Sequence, residues 1–340
     1  INSSTIMSDK MLFSLIIPVY NRPQEVDELL ESLTLQTEKN FEVIIVEDGS
    51  TEKSETIAAN YSDQLTLYYY FKSNSGPGQS RNYGYERASG DYYIFLDSDC
   101  ILPPTYMEAV NKAIASNYVD AFGGPDRALD SFTTIQKAIN YSMTSFLTTG
   151  GIRGSGEKME KFHPRSFNMG VSKLTMEKTK GFSKMRFGED IDLSIRINRE
   201  NLSTGLYKDA YVYHKRRSTL RQFFKQIFNS GIARINLSKR HPGSLKLVHA
   251  LPAAFLLGTL MLVALSFIVS PLFAAPLGLL TVLFFIDSLI KNKSVKIACM
   301  SVITSYIQLF AYGSGFIISF WYRNILKRDE FHAFRKNFYK

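Results

Sequence analysis

The sequence has little cysteine. Only Cys100 and Cys299 occur among 340 residues, one beside an acidic motif and one in an apolar stretch. Two isolated cysteines exclude a disulfide framework and the Cys and His cluster expected of a zinc site. They are consistent with a reducing, cytoplasmic environment for the polar part of the chain.

Two further patterns are missing. The N-terminus has no basic stretch followed by an apolar run and a small-residue cleavage site, so we expect no signal peptide. No Gly-x-Gly-x-x-Gly follows the first predicted strand, and the Gly-rich loop comes instead after the third predicted strand. This arrangement disfavours a dinucleotide-dependent enzyme.

Long uncharged runs lie in the C-terminal part of the chain. The run from Ala250 to Ile286 is long enough for two spanning helices of ~20 residues each, and Ser270-Pro271 lies near its middle. A further run from Ile297 to Tyr322 is long enough for one more. We therefore predict a membrane region over 241–326, with helices at about 250–269, 272–290 and 296–322 and a basic tail over 327–340. A buried hairpin of a soluble protein is the alternative.

The net charge of +9 arises largely from basic residues near these runs, which favours anionic lipid over nucleic acid as a partner. The cluster before the first run predicts a multi-pass protein of the cell membrane with its polar part in the cytoplasm. A third crossing would export the basic tail against the positive-inside rule, so either Gly313-Ser314-Gly315 breaks that segment or the rule fails there. The cluster consists of Arg216, Arg217, Arg221, Lys225, Arg234, Lys239, Arg240 and Lys246.

Strand and helix patterns alternate through the first hundred residues. Short apolar runs predict four strands, and helical spacing follows the first and third of them. This alternation is typical of an α/β fold with an open, mostly parallel, Rossmann-like sheet. The strands are predicted at Phe13–Tyr20, Phe41–Val46, Leu65–Phe71 and Tyr92–Leu96.

Polar residues follow these strands. Asn21, Asp48, Asp97 and Asp99 all come at carboxyl ends, where parallel sheets bind ligands, so we expect them to share one crevice. Two carboxylates in Asp97-Ser98-Asp99 repel each other unless a cation or solvent offsets their charge. A divalent metal site is predicted, an exposed acidic turn being the alternative.

The ordered motifs IIPVYNR, VEDGS, GPGQSRN, FLDSD, FNMG, GEDIDL and VYHKRR resemble those of glycosyltransferase family 2. The resemblance covers about Phe13 to Ala233 and implies a GT-A catalytic domain, here bounded at 11–240. It implies a transferase that uses a nucleotide-diphosphate sugar.

The resemblance also implies roles for individual residues in donor binding. Asp48 would hold the nucleoside, although a turn residue is the alternative, and Arg81 would orient the diphosphate, although it could be a helix-surface residue. Asn168 would contact the transferred sugar. The donor-binding set comprises Pro18, Tyr20, Asn21, Asp48, Arg81, Asp97 and Asn168.

Metal and catalytic roles follow in the same way. Asp99 and His214 would be ligands of Mn²⁺ or Mg²⁺, with a structural histidine as the alternative for His214. Asp190 would be the general base that deprotonates the acceptor hydroxyl, so that direct displacement inverts the anomeric configuration. Capping of the following helix is the alternative for the Glu189-Asp190 carboxylates.

A Gly-rich basic segment, Thr148 to Gly156 with the residues after it, is predicted to be an acceptor loop that grips an anionic, lipid-linked glycan. A solvated flexible loop is the alternative. The acceptor or phosphate-binding set comprises Arg153, Lys158, His163, Arg165 and Glu189.

Other functions remain open at this point. A polyprenyl-phosphate sugar synthase is the runner-up within the family, and a non-catalytic nucleotide-sugar-binding membrane scaffold is the alternative of another class. Processive synthesis is disfavoured because Gln222-Phe223-Phe224-Lys225-Gln226 lacks the Arg and Trp of the processive motif. The favoured role is transfer in the biosynthesis of a lipid-linked or cell-surface polysaccharide.

Overall fold

The computed structural model describes residues 11–129, 131–149 and 162–330. Among these, the contacts define a first unit of 11–127 with 162–214, and a second unit of the remainder. Helices within 128–149 and 215–240 thus group with the C-terminal apolar helices, whereas the bounds expected from the family place them with the catalytic domain. The domain bounds 11–240 and 241–326 stay a prediction.

Strands of the first unit form where apolar runs occur. The three central strands are almost wholly buried, as expected for parallel strands covered on both faces. The strands are β1 (Phe13–Val19), β2 (Phe41–Asp48), β3 (Leu67–Lys72), β4 (Tyr92–Leu96), β5 (Cys100–Ile101), β6 (Ala121–Gly123), β7 (Asp126–Arg127), β8 (Asn168–Ser172), β9 (Thr204–Leu206) and β10 (Val212–His214).

The helices begin and end at residues that the sequence marks well. Pro23 and Pro77 lie in the first turns of two of them, where proline's missing N–H costs nothing. The helices are α1 (Pro23–Thr34), α2 (Glu55–Ala59), α3 (Pro77–Tyr85), α4 (Tyr106–Ser116), α5 (Thr134–Thr144), α6 (Phe146–Thr149), α7 (Lys173–Thr179), α8 (Glu189–Arg199), α9 (Leu220–Arg240), α10 (Leu251–Ile268), α11 (Ala275–Asn292) and α12 (Val295–Phe320).

A seven-stranded sheet in the order β3-β2-β1-β4-β8-β6-β9 organises the first unit. Strands β1 to β4 run parallel, with Ile17 opposite Ile45 and Ile16 opposite Phe95, whereas β8 runs antiparallel to β4 and β6. The four predicted strands and the mostly parallel α/β sheet are confirmed. Because β1, β2 and β4 are parallel neighbours, the loops that follow them meet at one edge.

A small second sheet extends this edge. Strand β10 pairs antiparallel with β5 and parallel with β7, which sets His214 opposite Cys100 and Val212 opposite Asp126. Strand β5, which directly follows the acidic motif, is therefore fixed beside β10, a strand about a hundred positions later in the chain.

The second unit contains three helices long and apolar enough to cross a membrane: Leu247–Ile268, Pro271–Asn292 and Val295–Ile325. The predicted break at Ser270-Pro271 is present, since α10 ends at Ile268 and Ser270 caps a 3₁₀ turn. The first two helices are 11% buried within the protein, whereas the third is 39% buried. Helix α12 is therefore the central helix of this unit.

The glycines of α12 do not break it. The helix continues through Gly313-Ser314-Gly315, so a re-entrant break at this position is wrong. These glycines instead allow close packing: a Cβ on Gly315 would lie 2.1 Å from the Phe228 carbonyl oxygen, and one on Gly313 would lie 2.5 Å from that of Pro252. Gly231 of α9 likewise lies against the Tyr312 carbonyl of α12, so glycines on both helices allow α9 and α12 to pack closely where they cross.

We expect Gly315→Ala to destabilise the second unit by about 1–3 kcal/mol, because the added methyl overlaps the α9 backbone, which cannot move aside locally. Gly258→Ala is the matched control, since nothing lies within 4 Å of its Cβ position. The measurement is the thermal unfolding of the full chain in detergent. Equal melting temperatures for the two variants would contradict the close-packing role.

Candidate active site

The loops after β1, β2 and β4 contact one another through side chains. Asn21, with a φ of 51°, accepts hydrogen bonds at Oδ1 from the amides of Thr51 (2.8 Å) and Glu52 (2.9 Å). Arg22 donates from Nη1 to Asp99 Oδ2 over 2.6 Å. The structure thus joins the three strand ends into one crevice, with Asn21 shaping the loops.

Asp99 and His214 converge in this crevice. His214 Nε2 lies 3.1 Å from Asp99 Oδ1 and 4.0 Å from Asp97 Oδ2. The imidazole stacks on Phe167 with the ring centroids 5.0 Å apart, which fixes its plane. Oxygen and imidazole nitrogen donors are thereby placed close enough to bind one divalent cation.

Cys100 completes a group of three ligand atoms that lie within 4.8 Å of one another, with Asp99 and His214. Its thiol is fully buried and donates to the Phe167 carbonyl oxygen over 3.4 Å. Burial, with the nearby Asp99 and Asp97 charges, raises the pKa of this thiol well above its usual range. A neutral thiol is a poor ligand, so Asp99 and His214 are the suitable donors.

Arg81 is a buried link rather than a surface residue. Only 3% of the residue is exposed. Its Nη2 lies 2.7 Å from Asp97 Oδ1 and its Nη1 lies 3.1 Å from Glu189 Oε1. Gly78, one helical turn earlier, would place a Cβ 3.1 Å from Glu189 Cγ, so α3 and α8 approach closely here. The guanidinium therefore connects the acidic motif after β4 to the N-terminus of α8.

Asp190 pairs with Arg165. Arg165 Nε lies 2.6 Å from Asp190 Oδ2, and the Ile191 amide donates to Asp190 Oδ1 over 2.8 Å. Burial opposes ionisation of Asp190, but the Arg165 charge and these hydrogen bonds outweigh it and lower the pKa of Asp190. For Glu189, burial outweighs the attraction of Arg81 and, with the Asp190 charge, raises the pKa. The two neighbouring carboxyl groups therefore have shifted pKa values in opposite directions.

Asp48, the last residue of β2, is bonded to the end of β3 and to the loop that follows it. Its carboxylate accepts hydrogen bonds from the amides of Ser75 (2.9 Å) and Gly76 (2.8 Å) and forms an ion pair with Lys72. These contacts shape the Gly-rich loop before α3. They are the contacts of a turn-forming residue, the alternative that its sequence position leaves open.

Asn168, predicted to contact the transferred sugar, is held inside the protein, and the sugar contact stays a prediction. Its side chain is fully buried, its Oδ1 accepts from the Tyr106 hydroxyl (2.6 Å) and its Nδ2 donates to the Ala210 carbonyl (2.8 Å). Both ends of the amide are used inside the protein, so this side chain holds β8 in place. The FNMG motif gave no sign that Tyr106 would occupy it.

The remaining predicted residues are dispersed. Pro18 and Tyr20 are half-buried at the end of β1, and half-buried His163 lies 3.5 Å from Asn198 rather than beside the carboxylates. Arg153 and Lys158 lie outside the described residues. Among the described members of the predicted acceptor set, Arg165 bonds to Asp190, and Glu189 precedes Asp190 at the start of α8.

Sequence reasoning missed Arg22 and Lys72. Arg22 stands in the IIPVYNR motif, yet only its neighbours received a role, although it forms the direct contact to Asp99. Lys72 ends β3 and pairs with Asp48. One sequence pattern could have identified them. Each is a basic residue at the carboxyl end of a strand, and acidic residues follow the adjacent strands.

Comparison with known proteins gives a consistent result. The family model for glycosyl transferase family 2 matches residues 14–179. EpsH of Bacillus subtilis, whose name assigns it to the glycosyltransferases, is 30% identical over 233 residues, covering 65% of this chain and 66% of that protein. The chain belongs to glycosyltransferase family 2.

Other relatives in the family match shorter stretches. The uncharacterized glycosyltransferase RT0329 of Rickettsia typhi is 42% identical over 97 residues, which is 28% of this chain and 30% of that protein. The chain thus spans less than a third of that relative's length. The activities and substrates of these full-length relatives are therefore not transferred to this chain.

The fold also matches a solved structure. Mannosyltransferase PcManGT from Pyrobaculum calidifontis, in complex with GDP-Man and Mn²⁺, superposes with a TM-score of 0.65 over 90% of this chain and 88% of that chain, at 15% identity. This similarity, together with the mostly parallel sheet, identifies the fold as GT-A followed by C-terminal apolar helices.

We expect Arg165→Gln to lower the free energy of unfolding at pH 7 by about 1 kcal/mol or less, because 41% of the Arg165 side chain is exposed and solvent screens the pair. The folded-state pKa of Asp190 is lowered, so the pair stabilises above the unfolded-state pKa of Asp190 and the contribution is lost as pH falls. Melting temperatures at pH 7 and at about pH 2, below the unfolded-state pKa of Asp190, measure this.

Arg199→Gln, at the opposite end of α8, is the control for that experiment. A deficit of the Arg165 variant that is as large at about pH 2 as at pH 7 would contradict the ionic origin of the stabilisation.

Proposed function

We propose that this chain is an inverting glycosyltransferase that moves a sugar from a nucleotide-diphosphate sugar to an acceptor hydroxyl. Asp190 acts as the general base, and Asp99 with His214 holds a divalent cation, Mn²⁺ or Mg²⁺, against the donor diphosphate. The acceptor is a lipid-linked or cell-surface glycan. The family, the fold and the convergence of these residues support the proposal.

One observation supports the proposed function most strongly. Through Arg81, the Asp97-Ser98-Asp99 motif and the Glu189-Asp190 pair are held by a single buried guanidinium, although about ninety positions separate them along the chain. Inverting transfer requires a leaving-group site and a base within one substrate's length of each other. A guanidinium that contacts both segments fixes that separation.

The residues of the cation site fit a hard or borderline divalent ion. Asp99 Oδ2 is held by Arg22, which directs Oδ1 toward His214 Nε2. Oxygen donors suit Mg²⁺ and Mn²⁺, and an added imidazole favours Mn²⁺ over Mg²⁺. A bound cation would neutralise the negative charge that develops on the departing diphosphate. PcManGT, which binds GDP-Man and Mn²⁺, provides a precedent in the same fold.

Asp190 supplies the base. Because the pKa of Asp190 is lowered, its carboxylate is ionised at neutral pH. The carboxylate is therefore ready to accept the proton of the acceptor hydroxyl. Each carboxylate oxygen has two lone-pair sites, so the bonds from Arg165 and Ile191 leave acceptor positions for a hydroxyl. As the acceptor oxygen attacks the anomeric carbon, its proton passes to Asp190 and the bond to the diphosphate breaks.

The apolar helices of the second unit support a membrane location for the protein. Helices α10 and α11 expose large apolar side chains along their lengths, Leu257, Phe267 and Leu279 among them. The basic residues that precede α10 favour a cytoplasmic orientation of the catalytic part. A membrane-linked acceptor and a soluble nucleotide sugar would meet at that surface.

We expect Asp99→Asn to weaken Mn²⁺-dependent binding of the donor at least about tenfold, because a metal ligand loses its charge. Asp190→Asn is expected to leave that binding within about twofold while lowering the transfer rate by about 10²–10⁴-fold, since only proton removal is lost. Calorimetry with a panel of nucleotide sugars, with and without Mn²⁺, measures the binding.

Asp63→Asn makes the same chemical change at an exposed position and is the control. Equal loss of donor binding in the Asp99 and Asp190 variants would refute the division of roles. Absence of binding by any nucleotide sugar in the unmodified chain would contradict the donor site, and binding without transfer to any acceptor would favour the non-catalytic nucleotide-sugar-binding scaffold.

A further inference from the structure

Asp126 lies beside the nitrogen of His214 that does not face Asp99. His214 Nδ1 is 3.9 Å from Asp126 Oδ2, whereas its Nε2 is 3.1 Å from Asp99 Oδ1. Only 22% of the Asp126 side chain and 16% of the His214 side chain are exposed, so solvent screens this contact weakly. The two nitrogens of an imidazole point in different directions, so each carboxylate contacts its own nitrogen. Asp126 is therefore a neighbour of the histidine and not a ligand of a cation held by Nε2 and Asp99.

The small sheet fixes the position of Asp126. In the parallel pair of β7 and β10, Asp126 is opposite Val212. Side chains alternate along a strand, so Asp126 faces the same side of the sheet as Val212 and His214. Gly124 allows the chain before β7 to approach the chain before β10, since a Cβ there would lie 1.8 Å from the Ala210 carbonyl oxygen. The backbone thus places the carboxylate beside the imidazole.

Arg165 is a second charged neighbour of Asp126, and it is bonded to Asp190. Arg165 Nε lies 2.6 Å from Asp190 Oδ2. The charge of Asp190 is the main cause that raises the pKa of Arg165, and the charge of Asp126 contributes at longer range. The guanidinium therefore keeps its direct bond to Asp190. The Asp126 carboxylate remains a partner of the His214 ring.

The two carboxylates compete for the proton of a neutral His214 ring. A histidine binds a cation only through a nitrogen that carries no proton. Asp99 favours the proton on Nε2, whereas Asp126 favours it on Nδ1. With the proton on Nδ1, the lone pair of Nε2 is directed toward Asp99. The stack on Phe167 fixes the plane of the ring, so the tautomer decides which nitrogen can bind a cation.

We propose that Asp126 is the positioning residue of the cation site: it keeps the proton of His214 on Nδ1 and so makes Nε2 available to a divalent cation. This role rests on the proposed function, because the cation site is part of it. A distance of 3.9 Å is longer than a direct hydrogen bond, so the contact acts through charge or through one bridging water. Loss of such a partner of a metal-bound histidine costs about 10–100-fold in metal affinity.

The test measures Mn²⁺ binding to the full chain in detergent by electron paramagnetic resonance. We expect Asp126→Asn to weaken Mn²⁺ binding about tenfold or more at an unchanged melting temperature. The spin-echo modulation that an imidazole nitrogen imposes on bound Mn²⁺ should weaken as well. Asp126→Glu restores the charge and should retain most of the affinity. Asp209→Asn, the same change at an exposed position shortly before β10, is the matched control.

A double variant separates a role through His214 from a general effect of charge. In a His214→Gln background, Asp126→Asn should change the Mn²⁺ affinity by less than about twofold, because the residue on which Asp126 acts is gone. A tenfold loss in that background would overturn the positioning role, since the charge would then act on the cation directly.

Two further outcomes distinguish this inference from the proposed function. Equal Mn²⁺ affinities of the Asp126→Asn and Asp209→Asn variants, in a chain that binds Mn²⁺ when unmodified, would overturn the role of Asp126 and leave the cation site standing. Absence of Mn²⁺ binding by the unmodified chain would overturn the cation site of the proposed function, and the role of Asp126 with it.

Discussion

The buried guanidinium of Arg81 is the contact on which the arrangement of the candidate site depends. Removing a charge from water is costly unless partners compensate it, and Arg81 is compensated by Asp97 on one side and Glu189 on the other. Loss of either partner would remove one of the two charge-assisted contacts of this guanidinium, and loss of both would leave an uncompensated buried charge. The separation between the β4 loop and α8 is therefore fixed more firmly than apolar packing alone would fix it.

The charges around this contact leave the crevice slightly acidic. Four carboxyl groups, those of Asp97, Asp99, Glu189 and Asp190, face three guanidinium groups. Burial, together with the charge of the adjacent Asp190, raises the pKa of Glu189. A divalent cation adds more positive charge than the guanidinium groups lack, and a diphosphate then offsets the excess. The site thus suits a cation and an anionic donor bound together better than either one bound alone. The three arginines are Arg22, Arg81 and Arg165.

The sequence was most informative where a strand ends. Apolar runs and the polar residues after them located β1, β2 and β4, and because parallel neighbours end at one edge, the grouping of Asp97 and Asp99 with the β1 loop followed. Side-chain direction could not be inferred in the same way. Asn168 faces inward because Tyr106, about sixty positions earlier, meets its amide, and Arg165 reaches Asp190 from a segment that reads as a loop. Both depend on tertiary contacts that leave no local pattern.

The third apolar segment shows how burial changes a sequence-based argument. Charge counting treats each apolar run as a crossing of the membrane, and on that basis the basic residues after α12 conflict with the positive-inside rule. Yet α12 buries polar side chains against other helices: Thr304 Oγ1 donates to the Ala138 carbonyl over 2.9 Å, and Ser288 Oγ donates to Ser301 Oγ over 2.8 Å. A helix whose polar groups are satisfied by protein behaves differently from one that meets lipid on all sides. The basic residues after α12 still conflict with the rule, because the rule concerns the loops that flank a span and not the surroundings of the helix itself. Burial of 39% of the third segment explains instead how its polar side chains are accommodated.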